Sequence, residues 1–384
     1  MKKMLLMLNK KLNKGKKEAG VHYFDYSLLF IIIFLIGFGL VMLYSVSSYK
    51  AQIDFGSASY YLKRQLFIGL AGIVAMLIVS LFPLEIWKKY AFHLYALALF
   101  ACALVPIIGQ SYNNSQRWLK FGNLTIQPSE FGKIAVILFM ASLLCRMPRQ
   151  INSLKSVAKL MGRIAPMIGI IMLSNLSTAL IIAGIAFLMI FITSSETKLF
   201  AKILVGVSML GMVGVFAEGY RAIRIKAWLH PEAYPDASYQ TIQGLYAIGS
   251  GGFFGKGLGG SIQKLGYVPE AQNDFIFSII VEELGLFGAI CVIGLFLLLI
   301  YRFTRIAMNA PDLFSSLVVV GVIIHISLQV VLNIAVVTAA LPNTGVTLPF
   351  ISYGGTSLFI LLIEMGIVLG ISRRIVIKDE KHGR

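Results

Sequence analysis

Three carboxylates lie within ten residues of one another at the edge of a strongly apolar run. Asp274 precedes the run, and Glu282 and Glu283 lie inside it. An ionisable side chain at membrane depth costs about 2.5–3.5 kcal/mol on insertion scales, so it usually faces a cavity or a partner. Three carboxylates this close together indicate a polar site at a membrane face, with Asp274 as its main candidate. Glu282 and Glu283 could equally brace neighbouring helices.

A second group of polar residues lies at the start of the apolar run 129–144. Pro128 suits the first position of a helix, because its missing N–H would have no partner there. Lys133 then lies about 6 Å along that helix at 1.5 Å per residue, at a depth similar to that of Asp274. A lysine at about 4–6 Å would keep Asp274 ionised at neutral pH. Ser129 shares the helix face of Lys133, and Glu130 lies beside it.

Basic and aromatic residues elsewhere could complete an anion-binding site. Arg117 offers a planar fork for phosphate or carboxylate, and Trp118 offers a flat ring for a sugar face. The alternative is an interfacial aromatic beside an arginine that binds lipid headgroups. Arg221 and Arg224 add positive charge to the segment 219–274. These residues together favour an anionic ligand on the side of the membrane where the segment 219–274 lies.

The elements that must position these residues are membrane helices. Hydrophobic residues make up 58% of the chain and charged residues 13%, against about 25% charged in soluble domains, and the mean hydropathy is +0.82. Several runs reach the roughly 20 apolar residues needed to cross a bilayer. The net charge is +17, and most of the basic residues lie between these runs. This distribution indicates a role in membrane orientation rather than a nucleic-acid partner. The three cysteines show no pairing pattern and are expected to be free thiols.

The number of spans depends on one ambiguous run, residues 164–194. Its 31 residues are too long for one span and barely enough for two, and a polar break at Ser174–Thr178 lies in its middle. Two spans there make ten in total and place both termini in the cytoplasm. In that topology 23 of the 34 basic residues lie in cytoplasmic segments, as the positive-inside rule requires. The other predicted spans are 27–48, 62–82, 91–108, 129–144, 203–218, 275–301, 314–338 and 356–372.

The sequence therefore predicts an all-α polytopic membrane protein with a ten-span domain at 26–373. Residues 1–25 and 374–384 are predicted to be cytoplasmic tails, the first of them strongly basic. The extracellular segment 219–274, between spans seven and eight, is too long to be a passive connector.

Three features inside these boundaries carry further expectations. A short helix is predicted at Tyr239–Ile248, lying on the membrane or dipping into it. The glycine-rich stretch Gly249–Gly260 suits close backbone approach to a helix or a ligand. In the ninth span His325, Gln329 and Asn333 repeat every four residues and form one polar stripe, which is expected to hydrogen-bond to neighbouring helices.

Several short blocks occur in a fixed order along the chain: Gln116–Trp118, Gln127–Glu130 with Lys133, Tyr239–Gln240, Ala247–Gly252, Pro269–Glu270, Asp274–Phe277, Glu282–Gly285 and Ile351–Gly355. Together they resemble the SEDS family (shape, elongation, division and sporulation), and the likeness runs from about Tyr26 to Ser372. Gln263–Tyr267, and Leu341–Gly345 followed by Pro349–Tyr353, look more like the FtsW division branch than RodA. Two departures stand out: Gln272 and Asn273 precede Asp274 where the family has His-Thr, and Asn175–Thr178 lacks the family's acidic residue.

The resemblance implies a peptidoglycan glycosyltransferase of the bacterial plasma membrane. It would polymerise lipid II, an undecaprenyl-pyrophosphate-linked disaccharide, with Asp274 as general base and basic residues stabilising the diphosphate. The implied partners are a class B penicillin-binding protein with transpeptidase activity and other divisome or elongasome membrane proteins. The only cofactor the resemblance leaves open is a divalent cation, Mg²⁺ or Mn²⁺, that could assist the diphosphate. The implied substrate-binding residues are Arg117, Trp118, Ser129, Glu130, Lys133, Arg221, Arg224 and Glu283.

Three alternatives remain open from the sequence. Ten spans with polar residues at depth also fit a transporter that flips lipid II across the bilayer, with Glu282 and Glu283 at its centre. A third function is that of a non-catalytic scaffold for a transpeptidase. Within the family, a role in elongation or sporulation is as compatible with these residues as one in division.

Overall fold

The computed structural model describes residues 21–112, 115–122, 124–147, 153–194, 196, 200 and 219–377. Nine helices in this part of the chain are long and apolar enough to cross a membrane, so the protein is a multi-pass membrane protein, as predicted. They are α1 Tyr26–Phe55, α2 Tyr60–Val79, α3 Leu84–Ile108, α4 Pro128–Arg146, α5 Leu154–Ser174, α6 Leu176–Thr193, α9 Ile276–Asn309, α10 Leu313–Val337 and α11 Gly355–Ser372. The shorter helices are α7 Gly219–Leu229 and α8 Pro235–Gly251, with a 3₁₀ turn at Pro231–Ala233 between them.

The ambiguous run 164–194 forms two helices, α5 and α6, which confirms the predicted break. Asn175 separates them, and its side-chain oxygen caps α6 by accepting a hydrogen bond from the Thr178 backbone N–H at 3.2 Å. Helix α5 begins at Leu154, ahead of the predicted start at 164. The predicted span 203–218 lies outside the described residues, so nine of the ten predicted spans correspond to described helices.

The spanning helices form one bundle, and the end at which α1 finishes and α9 begins is here called the site end. Helix α4 is the most enclosed, with 83% of its most apolar window buried, whereas the same measure is 22% for α2. Helices α2 and α11 approach closely, because a Cβ at Gly366 would lie 2.5 Å from the Met76 carbonyl oxygen. The pair Gly366 and Gly370 thus serves helix packing, as expected of small residues four apart.

Two small sheets depart from the all-α prediction. Strands β2 Gln110–Tyr112, β3 Ser115–Phe121 and β4 Leu124–Ile126 form an antiparallel ribbon at the site end. Strands β1 Val21–Tyr23 and β5 Ile375–Ile377 pair at the other end and join the described parts of the two predicted tails. All but β3 are three residues long, too short for an alternating pattern to be read from sequence.

The segment between α6 and α9 is organised rather than structureless over its described residues. The helix predicted at Tyr239–Ile248 is confirmed and extends over the whole of α8. Helix α7 packs beside it, and a series of turns leads from α8 to α9.

Cysteine labelling tests the predicted orientation. In a background without Cys102, Cys145 and Cys291, we expect a membrane-impermeant maleimide to label Glu232→Cys in intact cells and to leave Lys89→Cys unlabelled. Both positions are exposed, and they lie at opposite ends of the bundle. Labelling of Lys89→Cys but not Glu232→Cys would invert the topology, while permeabilised cells supply the control in which both react.

Candidate active site at one end of the helix bundle

Asp274 lies two residues before α9 and is held through its backbone. The Asn333 side-chain amide donates hydrogen bonds to the carbonyl oxygens of Asp274 and Val346, both at 2.7 Å. Gly345, with φ +68°, brings the chain so close that a Cβ there would lie 3.7 Å from Asp274 Oδ2. Asp274 therefore lies between the start of α9 and the segment before α11, and it remains partly exposed.

The surroundings of Asp274 favour a proton acceptor that works near neutral pH. Burial is the main reason that its pKa is raised from the ordinary 3.8 to about 6, and the negative charge of Glu270 raises it further. A hydrogen bond from its own backbone N–H and the positive charges of Arg224 and Arg117 act in the opposite direction. A base with a pKa near the working pH combines the ionised form with a useful affinity for the proton.

Two arginines reach this site from different parts of the chain. Arg224, in α7, donates to the Asn343 carbonyl oxygen at 3.1 Å, and Arg117, in β3, donates to the Ser174 carbonyl oxygen at 3.3 Å. Both are partly buried, and both act electrostatically on Asp274. The structure thus brings together Asp274, Arg117 and Arg224, three of the residues selected from the sequence.

Trp118 and Arg221 lie near these arginines along the chain. Trp118 follows Arg117 in β3, and successive side chains of a strand point to opposite faces. It does not line the groove beside Arg224. Arg221 lies in α7, three residues before Arg224. Their proposed contacts with substrate stay predictions.

A groove of about 360 Å³ opens beside Arg224 at the site end. Its walls are tied together by polar contacts: Gln240 donates to the Pro269 carbonyl oxygen at 2.8 Å, and Asn343 donates to Gln240 Oε1 at 2.8 Å. Trp228 donates from its indole N–H to the Ala339 carbonyl oxygen at 2.7 Å. The remaining lining residues are Ile223, Ala227, Pro231, Asp236, Ala237, Ser238, Tyr239, Thr241, Ile242 and Leu245. Its volume lies within the range of roughly 300–1,000 Å³ typical of pockets for organic ligands.

Lys133 does not take Asp274 as its ion-pair partner, contrary to expectation. Its ammonium lies 3.0 Å from Glu130 Oε1 and donates to Gln329 Oε1 at 3.4 Å. Glu130 precedes Lys133 by three residues on the same helix, and side chains at this spacing lie next to each other. Lys133 is 2% exposed, and Ser129 is also buried. The three residues of α4 therefore lie inside the bundle rather than on the surface of the groove.

Glu282 and Glu283 brace the bundle. Glu283 accepts hydrogen bonds from the Ser45 hydroxyl at 2.7 and 2.8 Å and pairs with the Lys264 ammonium at 2.8 Å. Glu282 pairs with the Lys256 ammonium at 2.7 Å and accepts from the hydroxyl of Ser261. Both glutamates are fully buried. Substrate binding by Glu283 stays a prediction, and its contacts fix the preceding segment to α9.

The glycine-rich stretch makes the close approach expected of it. Helix α9 is kinked at Gly285, whose φ is +70°, and the carbonyl oxygens of Glu282 and Glu283 accept hydrogen bonds from the backbone N–H groups of Lys256 and Gly257, each at 2.9 Å. A Cβ at position 251 would lie 2.1 Å from the Val281 carbonyl oxygen. The kink and the glycine-rich segment therefore satisfy each other's backbone groups.

The polar stripe of α10 hydrogen-bonds to its neighbours, as predicted. Asn333 holds Asp274, and Gln329 contacts both Lys133 and the Thr347 carbonyl oxygen, the latter at 3.3 Å. His325 Nδ1 lies 3.0 Å from both carboxylate oxygens of Glu364 in α11. Glu364 was not selected from the sequence, although an acidic residue in a span is a signal in itself.

Among the described residues, no group of three or more His, Cys, Asp or Glu side chains is arranged to hold a metal ion.

Residues 26–376 match the profile of the cell cycle protein family FtsW/RodA/SpoVE. Stage V sporulation protein E of Bacillus subtilis is 40% identical over 356 residues, which cover 91% of this chain and 97% of that protein. A probable peptidoglycan glycosyltransferase FtsW of Trichlorobacter lovleyi is 39% identical over 366 residues, covering 93% and 95% of the two chains. The comparisons thus place a sporulation protein and a probable glycosyltransferase at nearly equal identity.

Solved structures share the fold. One is a chain of a peptidoglycan synthase complex, in a structure described as the structural coordination of polymerization and crosslinking, with a TM-score of 0.79 and 26% identity over 92% of this chain and 98% of that one. Another is the rod shape determining protein RodA of Thermus thermophilus, with a TM-score of 0.68, 26% identity and coverage of 92% and 98%.

Proposed function

Because this chain belongs to the FtsW/RodA/SpoVE family of cell cycle proteins, we propose that it is a peptidoglycan glycosyltransferase that polymerises lipid II during septal wall synthesis. The observation that carries the proposal is the placement of Asp274, a partly buried carboxylate just before α9, under the electrostatic influence of Arg117 and of Arg224, which lines the groove. The names of the relatives support the reaction class.

The reaction joins two sugars and releases a diphosphate. A sugar hydroxyl oxygen attacks the anomeric carbon of the second sugar, and the bond from that carbon to the diphosphate oxygen breaks with its electron pair. Asp274 takes the hydroxyl proton as the new glycosidic bond forms. Proton transfer to a positioned base contributes typically 10²–10⁴-fold to such a rate.

The cations stabilise the charge that develops on the departing diphosphate. Arg224 and Arg117 can each present N–H donors to phosphate oxygens in the partly buried site, where such interactions are stronger than in water. Arg221 and Trp118 are assigned to the substrate's diphosphate and sugar by family resemblance. A Mg²⁺ or Mn²⁺ ion bound to the diphosphate would neutralise part of the charge that develops there.

We assign the enzyme to the bacterial plasma membrane, with both termini in the cytoplasm and the site end outside, where glycan strands are made. A membrane-anchored class B penicillin-binding protein is the proposed partner, alongside other divisome or elongasome membrane proteins. The related chain from a peptidoglycan synthase complex, in which polymerization and crosslinking are coordinated, supports this partner.

The test is reconstitution of the purified protein with lipid II in detergent, with and without the cognate penicillin-binding protein. We expect glycan polymer, in larger amount when the partner is present. No polymer in either case would refute the proposal. Movement of lipid II across vesicles without polymer would favour the flippase alternative, and crosslinking enhanced without polymer would favour the scaffold.

The pH dependence of polymerisation follows from the raised pKa of Asp274. A carboxylic acid cannot accept the hydroxyl proton while it is protonated, so kcat/KM should fall as the pH drops through about 6 and level off above it. If the base were an aspartate with an ordinary pKa, the enzyme would instead keep its activity down to about pH 4. Glu270→Gln removes a neighbouring negative charge and should move this limb to lower pH. Two results would contradict the assignment of Asp274 as the base: a pH profile that does not change in Glu270→Gln, or a kcat/KM that does not fall until the pH is below about 4.

A further inference from the structure

Residues 342–354, between α10 and α11, form neither helix nor strand, and they pass beside Asp274. Phe350, Ile351 and Ser352 are buried, so the backbone groups of this segment need partners inside the protein. Helix α1 lies against one side of the segment, since a Cβ at Gly39 would be 2.7 Å from the Phe350 carbonyl oxygen. Helix α2 lies against the other side.

Gln65 makes the polar contact between α2 and this segment. Its Nε2 donates to the Ser352 carbonyl oxygen, and its Oε1 accepts from the Gly354 backbone N–H, both at 3.3 Å. Gln65 is 2% exposed, although most of α2 is only lightly buried. Its side-chain amide therefore engages the two consecutive peptide units on either side of Tyr353.

One of these peptide units also contacts the segment that carries Asp274. The peptide between Ser352 and Tyr353 presents its C=O to Gln65, and its N–H donates to the Gln272 carbonyl oxygen at 2.9 Å. Gln272 is buried and precedes Asp274 by two residues. Because a trans peptide unit is planar, with its C=O and N–H pointing in opposite directions, fixing the C=O also fixes the direction of the N–H. A single peptide unit thus connects α2 to the backbone before Asp274.

Asp274 is held from two directions. Asn333 donates to the Asp274 carbonyl oxygen and fixes the residue from the side of α10. Gln65 acts from the side of α2, through the peptide unit just described. Both amides also bind the segment before α11, Asn333 at Val346 and Gln65 at 352–354. Two side-chain amides on different helices therefore set the position of the backbone around one carboxylate.

We propose that Gln65 is a positioning residue for glycosyl transfer, which holds the backbone before Asp274 so that the carboxylate meets the attacking hydroxyl. On this assignment Gln65 contacts neither the sugar nor the diphosphate. A misplacement of about 1 Å at a reacting group can cost about 10²-fold in rate, so a contact at this remove from the base is sufficient to affect kcat. The assignment rests on the proposed function and specifies a residue of α2 on which that function depends.

The alternative role for Gln65 is only to satisfy backbone groups at membrane depth, which is reason enough for a buried amide beside a non-helical segment. The two roles differ in what the loss of Gln65 does to the folded protein. Loss of a purely structural contact lowers the folded fraction and leaves each folded molecule with its native kcat. Loss of a positioning contact lowers the kcat of the folded molecules, and only while Asp274 is there to be positioned.

A double-mutant cycle between Gln65→Met and Asp274→Asn separates these roles. Methionine is similar in length to glutamine but has no donor and only a weak acceptor. The initial rate of polymerisation is measured against lipid II concentration, with the penicillin-binding partner present, and is normalised to folded protein. We expect Gln65→Met to lower kcat at least about tenfold and to leave KM within about twofold. In the Asp274→Asn background the same change should lower the remaining rate by less than about twofold, because no base is left to position.

Ser372→Ala is the matched control. The Ser372 hydroxyl is buried and accepts from the Asp25 backbone N–H at 3.3 Å, so this change also removes a side-chain contact with a backbone group, but at the opposite end of the bundle. Any loss of Tm in Ser372→Ala should leave kcat unchanged. Gln65→Glu is the second variant and is used in the same cycle if Gln65→Met folds poorly. It keeps an acceptor for the Gly354 N–H, so kcat should fall in the same way by a smaller factor.

Three results would overturn the assignment: an equal fall in kcat in both backgrounds, a native kcat in the folded Gln65 variants, or a rise in KM alone. In each of these cases the wild-type protein still forms polymer, so the proposed function stands. Absence of polymer from the wild type would instead remove the proposed function and this assignment with it.

Discussion

Asp274→Asn should lower the rate of lipid II polymerisation by about 10²–10⁴-fold, because the amide keeps the shape of the side chain but cannot accept the hydroxyl proton. The fold should be retained, since Asn333 holds residue 274 through its backbone carbonyl, which the substitution leaves unchanged. The measurement is the initial rate of glycan formation by purified protein with its penicillin-binding partner, normalised to folded protein.

The control is another acid-to-amide change in the same part of the chain. Glu232→Gln alters an exposed residue of the 3₁₀ turn and should leave the rate unchanged. An Asp274→Asn protein that polymerises at the native rate would show that Asp274 is not the base. If that protein also moves lipid II across vesicles, the transport function would have to be reconsidered.

The sequence predicted the membrane helices well because each span is a long apolar run with its own local signal. The sequence predicts the break at Asn175, because asparagine is unfavourable inside a helix and favourable as an N-cap. The sequence also indicates Asp274 as a candidate, because an ionisable side chain at the edge of a span usually faces a cavity or a partner. These features depend on neighbours in the chain, which is why sequence alone could locate them.

Side-chain partners depend instead on how helices are rotated against one another, which local patterns do not fix. Depth in the membrane suggests Asp274 as the partner of Lys133, but depth does not fix the direction of a side chain, and Glu130 lies next to Lys133 on the same helix. The pairing of Glu364 with His325 likewise depends on how α11 faces α10. The small cavity between the last turns of α1 and the Pro269–Gln272 segment could not be predicted, because its walls are more than two hundred residues apart in sequence.

The ion pair of Lys133 and Glu130 leads to a second large effect. Lys133→Ala would leave the Glu130 carboxylate buried without its counter-charge, and breaking a buried pair in this way typically costs about 3–5 kcal/mol. We expect a large drop in the Tm of the detergent-purified protein and a low folded yield. Replacing both partners, as in Glu130→Gln with Lys133→Met, removes both charges and should recover most of the lost stability.

The double variant also distinguishes this structural role from the expectation that Lys133 holds Asp274 ionised. If Lys133 acts only through Glu130, the folded double variant should keep the acid limb of its pH profile near the wild-type position, because Arg117 and Arg224 still act on Asp274. If Lys133 were the counter-charge of Asp274, its loss would move that limb to higher pH. A limb shifted upward in a fully folded double variant would therefore restore the original pairing. An unchanged limb with a recovered Tm would establish Lys133 as a structural residue of α4.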